Sequence, residues 1–172
     1  MRKKVLYIAA TLDGYIADSN DGFSFLSPYD GLESVAQSYQ SLLSRIDTII
    51  MGRKTYDVIQ KMGQWPYQEM KSYVMTSHPE KDLDKIFFRS DIQKLIHELD
   101  QKSGKDIWIV GGGTLISSML ELHMIDEFQI AFVPILLGSG KPLFPQANYM
   151  ENLDFVKMEN LDGLILLTYR KK

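Results

Sequence analysis

The chain has 172 residues, 45% hydrophobic and 24% charged, with 12 glycines, 6 prolines and no cysteine. One globular domain of this size can bury roughly 70% of the surface its unfolded form exposes, so a core forms without staples. Lysine and arginine total 19 against 22 acids, for a formal charge of −3, and the charges are scattered singly, which excludes a basic footprint for nucleic acid or an anionic membrane. Missing cysteine excludes disulfides, thiolate metal sites and a cysteine nucleophile, and it fits a reducing cytoplasm. His78, His97 and His123 show no i, i+4 pairing, so no histidine-built metal site is expected.

The basic lead Met1 to Lys4 and the apolar run Val5 to Ala10 are too short for a signal peptide, whose apolar region spans about 7–15 residues; the run predicts a buried first strand. A polar loop from Thr11 to about Gly31 follows. Leu32, Val35, Ala36, Tyr39, Leu42, Leu43 and Ile46 recur at helical spacing, which predicts a helix ending near Arg45. Thr48 to Met51 reads as a strand stopped by Gly52, Arg53 to Met62 as a helix, and Tyr73 to Thr76 and Ile86 to Phe88 as short strands. Ser90 and Gln93 have the form of a capping box before a helix through Leu99. Asp106 to Val110 is expected as strand, Thr114 to about Met124 as helix, Glu127 to Leu136 as strand, and Asp154 to Glu159 with Leu164 to Tyr169 as a closing antiparallel pair. Strands interleaved with helices, then strands alone, predict a mainly parallel α/β sheet with an antiparallel C-terminal edge.

Ligands of such sheets collect where strands end and helices begin, and three of these junctions stand out. Gly52-Arg53-Lys54-Thr55 opens a helix with a glycine, two cations and a hydroxyl, where free amides and the helix dipole favour a phosphate; a solvated first turn has the same composition. Gly111-Gly112-Gly113-Thr114 lets backbone approach a diphosphate closely, although Ile116 stands where a dinucleotide-fold fingerprint needs its last glycine and no P-loop lysine follows; a packing turn is the other reading. Thr76-Ser77-His78 offers hydroxyls and an imidazole at a strand end, residue types that also serve plain turns.

Ile8-Ala9-Ala10, Asp13-Gly14-Tyr15-Ile16-Ala17, Ile50-Met51-Gly52-Arg53-Lys54-Thr55-Tyr56, Val110 to Gly113 and Pro134 to Phe144 occur in the order seen in the dihydrofolate-reductase-like superfamily. Within it the chain resembles the stand-alone proteins akin to the reductase domain of the bifunctional riboflavin-biosynthesis deaminase-reductase. The resemblance covers nearly the whole chain, residues 1–172 as one domain, and implies a three-layer fold and an NADPH-dependent reductase that forms a homodimer through its C-terminal strands. It implies that Ala10 and Ile16 lie against the nicotinamide. Gly52, Arg53, Lys54 and Thr55 would hold phosphates, Thr76, Ser77 and His78 would flank the adenosine 2′-phosphate, and Gly111, Gly112, Gly113, Thr114 and Leu115 would cradle the diphosphate.

Hydride would pass to a C=N bond of a pterin or to the ring-opened ribosyl imine of a pyrimidine phosphate, with the protein aligning the reacting carbons and managing a proton. Asp13 or Glu33 is the expected proton source, raised in pKa if the cleft is dry, with Lys141 as a partner for Asp13. The first helix departs from both substrate patterns: it is apolar near Ala36, where folate reducers carry an acid, and Arg45 is its one cation for a sugar phosphate. 5-Amino-6-(5-phosphoribosylamino)uracil reduction, dihydrofolate or other pterin reduction, and a nucleotide-binding module without turnover therefore stand as alternatives. A hydrolase is disfavoured because no Gly-x-Ser-x-Gly elbow exists, and the length leaves no room for a fused deaminase.

Overall fold

A computed structural model describes residues 1–172. The elements run β1 (Lys4–Thr11), β2 (Tyr15–Ala17), α1 (Glu33–Ser44), β3 (Ile46–Gly52), α2 (Arg53–Lys61), β4 (Lys71–Met75), β5 (Ile86–Arg89), α3 (Ile92–Asp100), β6 (Asp106–Gly111), α4 (Gly113–Glu121), β7 (Glu127–Val133), β8 (Lys141–Pro142), β9 (Leu153–Leu161) and β10 (Leu164–Lys171), with a 3₁₀ turn over Ser24–Tyr29 between β2 and α1. Eight strands form one sheet in the order β5-β4-β3-β6-β1-β7-β10-β9. Every pair from β5 to β7 is parallel, and β10 runs antiparallel to both β7 and β9.

Side-chain alternation in the parallel strands feeds two apolar layers. Leu6, Ile50, Ile107 and Ile109 pack with Leu95, Ile96 and Leu99 of α3 and with Ile116, Met119 and Leu120 of α4. Val5, Ile49, Met51, Val74 and Trp108 pack on the opposite face with Leu42 of α1 and Tyr56 of α2. Helices therefore cover both faces. No helix is long and apolar enough to cross a membrane.

Several boundaries differ from the periodicity reading for local reasons. The cap of α3 is Asp91, one residue after the expected Ser90; its carboxylate accepts from Lys94 N at 2.9 Å, and a charged acceptor suits the positive helix end better than a hydroxyl. Helix α4 stops at Glu121, short of Met124, because His123 takes φ 54° and the His123 and Met124 amides fold back onto the Leu120 and Met119 carbonyls, a C-terminal closure that usually employs glycine. Strand β7 ends at Val133, before Pro134, which has no amide for the ladder. Strands β2 and β8 and the 3₁₀ turn lie in stretches without periodicity; β2 and β8 exist through their mutual pairing, Tyr15 with Pro142 and Ala17 with Lys141.

Candidate active site

Strand β3 leads through α2 to β4 on one side, whereas its neighbour β6 leads through α4 to β7 on the other, and α2 and α4 lie on opposite faces. The crevice between the carboxyl ends of β3 and β6 is thus a topological switch point, the usual ligand site of an open α/β sheet. Both helix starts abut there: a Cβ built on Gly52 would stand 3.8 Å from Gly111 O and Gly112 N, and one on Gly112 would stand 3.6 Å from Thr55 Oγ1. Neither α2 nor α4 has a side-chain cap or an acid in its first turn, in contrast to α3 with its Asp91 cap and α1 with Glu33 in its first turn. Two sets of free amides and two dipoles therefore converge without an internal anion, which fits them to a diphosphate. Gly113 is glycine for a further reason: a Cβ would meet Pro142 O and Pro145 Cγ at 3.2 Å, so the loop after β8 packs directly on the start of α4. Of the cradle residues, Leu115 is buried in the core and Thr114 is exposed.

Arg53 lies half-buried beside the Tyr56 and Phe88 rings, each 5.8 Å from its guanidinium carbon. Its Nε donates to Asp57 at 2.8 Å and its Nη1 bonds Glu80. The Glu80 and Asp57 carboxylates, in that order, hold the guanidinium pKa above its ordinary value. The Arg53–Asp57 spacing of four was readable from sequence; Glu80, which ties the loop after β4 to α2, was not. Lys54 is exposed and forms no ion pair. In that loop the His78 amide donates to Thr76 Oγ1 at 3.2 Å and Ser77 Oγ lies 2.9 Å from His78 Nδ1, so the three expected residues share one exposed turn.

Ala10 is fully buried, leaving only its backbone for a ligand, and Ile16 is half-buried against the main core. The expectation of a raised Asp13 pKa in a dry cleft is corrected. Its exposed carboxylate accepts from Thr11 Oγ1 at 2.5 Å, Gly138 N at 2.7 Å and Leu137 N at 3.1 Å, and the Thr11 hydroxyl first, then the Gly138 amide, pull its pKa below the usual value. Its proposed partner is corrected too: Lys141 lies 3.8 Å from Asp21, and the loop amides take its place on Asp13. Glu33 is exposed at the start of α1 and accepts from Gln37 at 2.9 Å. Arg45 sits at the opposite end of α1, bonded to Asp106 at 2.6 Å and to Glu127 at 2.7 Å, beside the amino ends of β6 and β7.

Sequence reading also left unassigned a wall of rings on the α1 and α2 face. Trp108 packs edge-on to Tyr39, Tyr67 and Tyr7 with centroids 5.8, 5.6 and 6.2 Å away, and its indole N–H donates to Tyr7 O at 3.0 Å. Burial pushes the Tyr7, Tyr39 and Tyr67 phenols up, so all three are neutral donors.

A family model described as the RibD C-terminal domain matches residues 2–167. The chain belongs to the RibD C-terminal domain family. YwjB of Bacillus subtilis strain 168 is 36% identical to this RibD-type domain over 146 residues, covering 83% of each chain. A Shewanella sp. PV-4 structure described as a riboflavin biosynthesis protein superposes with a TM-score of 0.85 at 33% identity, covering 99% of both chains. Dihydrofolate reductase from Enterococcus faecalis, solved with NADP(H), superposes with a TM-score of 0.72 at 16% identity over 99% of this chain and 96% of its own, which establishes the dihydrofolate-reductase-like fold for the RibD-type domain.

Proposed function

We propose that this RibD-type domain is an NADPH-dependent reductase of a pyrimidine or pterin-like heterocycle, with reduction of 5-amino-6-(5-phosphoribosylamino)uracil in riboflavin biosynthesis as the first candidate reaction. The observation that carries the reading is the pair of uncapped helix starts at the β3/β6 switch point, with Gly52 and Gly112 leaving room between them. A reduced nicotinamide supplies a hydride when bound. The amides of α2 and α4 would hold its diphosphate, and Lys54, Ser77, His78 and a freed Arg53 would face the 2′-phosphate, since cations rather than an acid suit the extra phosphate of NADPH.

The residues of the chain then have distinct duties. Ala10 and Ile16 would border the nicotinamide, the Trp108 ring wall would support a flat substrate, and Asp13 would fix the Leu137–Gly138 loop at the site's edge while a proton reaches the substrate nitrogen from solvent. The ionised state of Asp13 favours this positioning duty over direct acid catalysis. A pterin substrate is the second reading, favoured by the commitment of Arg45 to Asp106 and Glu127, which leaves α1 without a cation for a sugar phosphate.

The protein would work in the cytoplasm as a homodimer. Phe155 stands opposite Tyr169 and Met158 opposite Leu167 on one sheet face, and Phe155 and Met158 are 61% and 62% exposed, an apolar surface suited to a second copy; Phe155→Lys with Met158→Lys should halve the mass seen by light scattering, and a wild-type monomer would refute the assembly. The function itself is tested by titrating NADPH against tryptophan fluorescence, then following NADPH oxidation with the ribosylaminouracil phosphate and with oxidised pterins. Binding without oxidation of any of them would identify a module without turnover, and an absence of NADPH binding would refute both readings.

A further inference from the structure

The amino ends of β3 and β4 and the carboxyl end of α3 enclose a cavity of about 210 Å³. It lies at the opposite end of the strands from Gly52 and Gly112, about 13 Å from Gly52 along the residue steps of β3 from Thr48 at ~3.3 Å each. Two of its lining side chains are more than nine-tenths buried: Arg2 at 7% exposure and Tyr73 at 8%. Arg2 donates through Nε to Lys105 O at 2.7 Å and through Nη2 to Asp47 and to Thr48 Oγ1, which leaves Nη1 without an acceptor. The Tyr73 hydroxyl has no hydrogen-bond partner in the protein, and burial pushes its pKa up, so it is a protonated donor at neutral pH.

Arg2 Nη1 and Tyr73 Oη thus border the cavity without an acceptor from the protein, and donors held in place by mostly buried side chains are suited to an incoming oxyanion. The rim supplies matching charge. Lys71 and Lys102 have no carboxylate partner, whereas Lys85 lies 3.5 Å from the exposed Glu69. Asp47 is already satisfied by Arg2, Thr48 Oγ1 and the Lys105 amide. Cations thus outnumber acids around this cavity, although the chain as a whole carries −3.

We propose that the cavity is a binding site for a compact phosphate, inorganic phosphate or a small phosphate monoester, separate from the reductase site. The oxyanion would accept from Arg2 Nη1 and Tyr73 Oη inside and be neutralised by Lys71 and Lys102 at the mouth. At about 210 Å³ the cavity falls below the roughly 300–1,000 Å³ of ordinary small-molecule sites, which fits a compact phosphate better than a nucleotide.

The test is calorimetric titration of the full chain with inorganic phosphate and with glycerol 3-phosphate, at constant ionic strength against chloride. Saturable binding is expected. Tyr73→Phe should weaken it about fivefold, the worth of one hydrogen bond, and Lys71→Ala with Lys102→Ala about tenfold. Arg53→Ala, which disturbs only the proposed cofactor site, should leave it unchanged. The two phosphate arms separate the free anion from the monoester, with the tighter ligand identifying the source. No saturable phosphate binding would overturn the proposal, as would binding that survives the Tyr73 and lysine variants and vanishes in Arg53→Ala; neither result would touch NADPH oxidation, so the reductase reading is judged separately.

Discussion

Replacing Gly52 with alanine tests whether the gap between the two helix starts is where a diphosphate sits. Gly52 has φ −75° and ψ 160°, a conformation open to any L-residue, and the new methyl would find its nearest neighbours, Gly111 O and Gly112 N, at 3.8 Å, an ordinary van der Waals contact. Two backbone effects act on stability in opposite directions. Alanine caps a helix less well than glycine, a cost of about 0.5–1 kcal/mol, while the stiffer unfolded chain returns about 0.4–1 kcal/mol. They nearly cancel, and at ~2–4 °C per kcal/mol for a chain of this size the melting temperature should move by no more than about 3 °C. The cofactor meets a different situation, because the methyl occupies the space a phosphate oxygen needs to bridge the α2 and α4 amides. Loss of one hydrogen bond to a charged group amounts to about 1.5–3 kcal/mol, so the NADPH dissociation constant should rise about 10- to 140-fold. Fluorescence titration of NADPH, paired with thermal unfolding by circular dichroism, reads both quantities. An NADPH affinity within twofold of wild type would refute the placement of the diphosphate, and a melting temperature lowered by more than ~8 °C would refute the account of the local packing.

Glu80→Gln should free Arg53 and raise the NADPH over NADH preference, whereas Arg53→Ala should weaken NADPH more than NADH; equal changes for both cofactors in titration would remove Arg53 from 2′-phosphate recognition. Asp13→Asn keeps one acceptor but cannot serve the Thr11, Leu137 and Gly138 donors as a carboxylate does, so turnover should fall with cofactor affinity nearly kept, and unchanged single-turnover oxidation of NADPH would dismiss the loop's role. Glu127, 1% exposed, has its pKa raised by burial but lowered more by hydrogen bonds from Arg45 and Arg170, for a net depression. A depressed carboxylate stabilises the fold above its unfolded pKa of about 4.3 and loses that contribution as pH falls through the folded value. Urea midpoints should accordingly decline below about pH 4.5, and Glu127→Gln should cost about 1–3 kcal/mol at neutral pH, since Arg45 keeps Asp106 and Arg170 is half-exposed, while flattening the acid limb; a variant with the same pH profile as wild type would show that Glu127 does not control it.

Much of the fold was legible in the sequence because its parallel strands are buried on both faces and its helices carry one apolar stripe each, so periodicity marked β1, β3, β6, β7 and all four helices. What lacks periodicity was lost: β2 and β8 hold two or three residues each and are strands only because Tyr15 and Pro142 meet. The candidate anion loops Gly52 to Thr55 and Gly111 to Thr114 were visible because glycine and cations at a helix start are chemically unusual. Their closeness was not, since it depends on β6 inserting between β3 and β1, a sheet order that no local pattern encodes. Side-chain partners were the least legible. Arg53 reads as a free phosphate ligand until Glu80, 27 residues later, is brought onto it, and Asp13 reads as an acid until the Thr11 hydroxyl and, from far along the chain, the Gly138 and Leu137 amides close on its carboxylate and lower its pKa. Residue types and short-range spacing thus determined the fold class and the candidate anion loops, whereas the crevice, the pairing state of its charges and the cation-lined cavity at the amino ends of β3 and β4 were decided by tertiary structure, because electrostatic partners are chosen by distance in space and not along the chain.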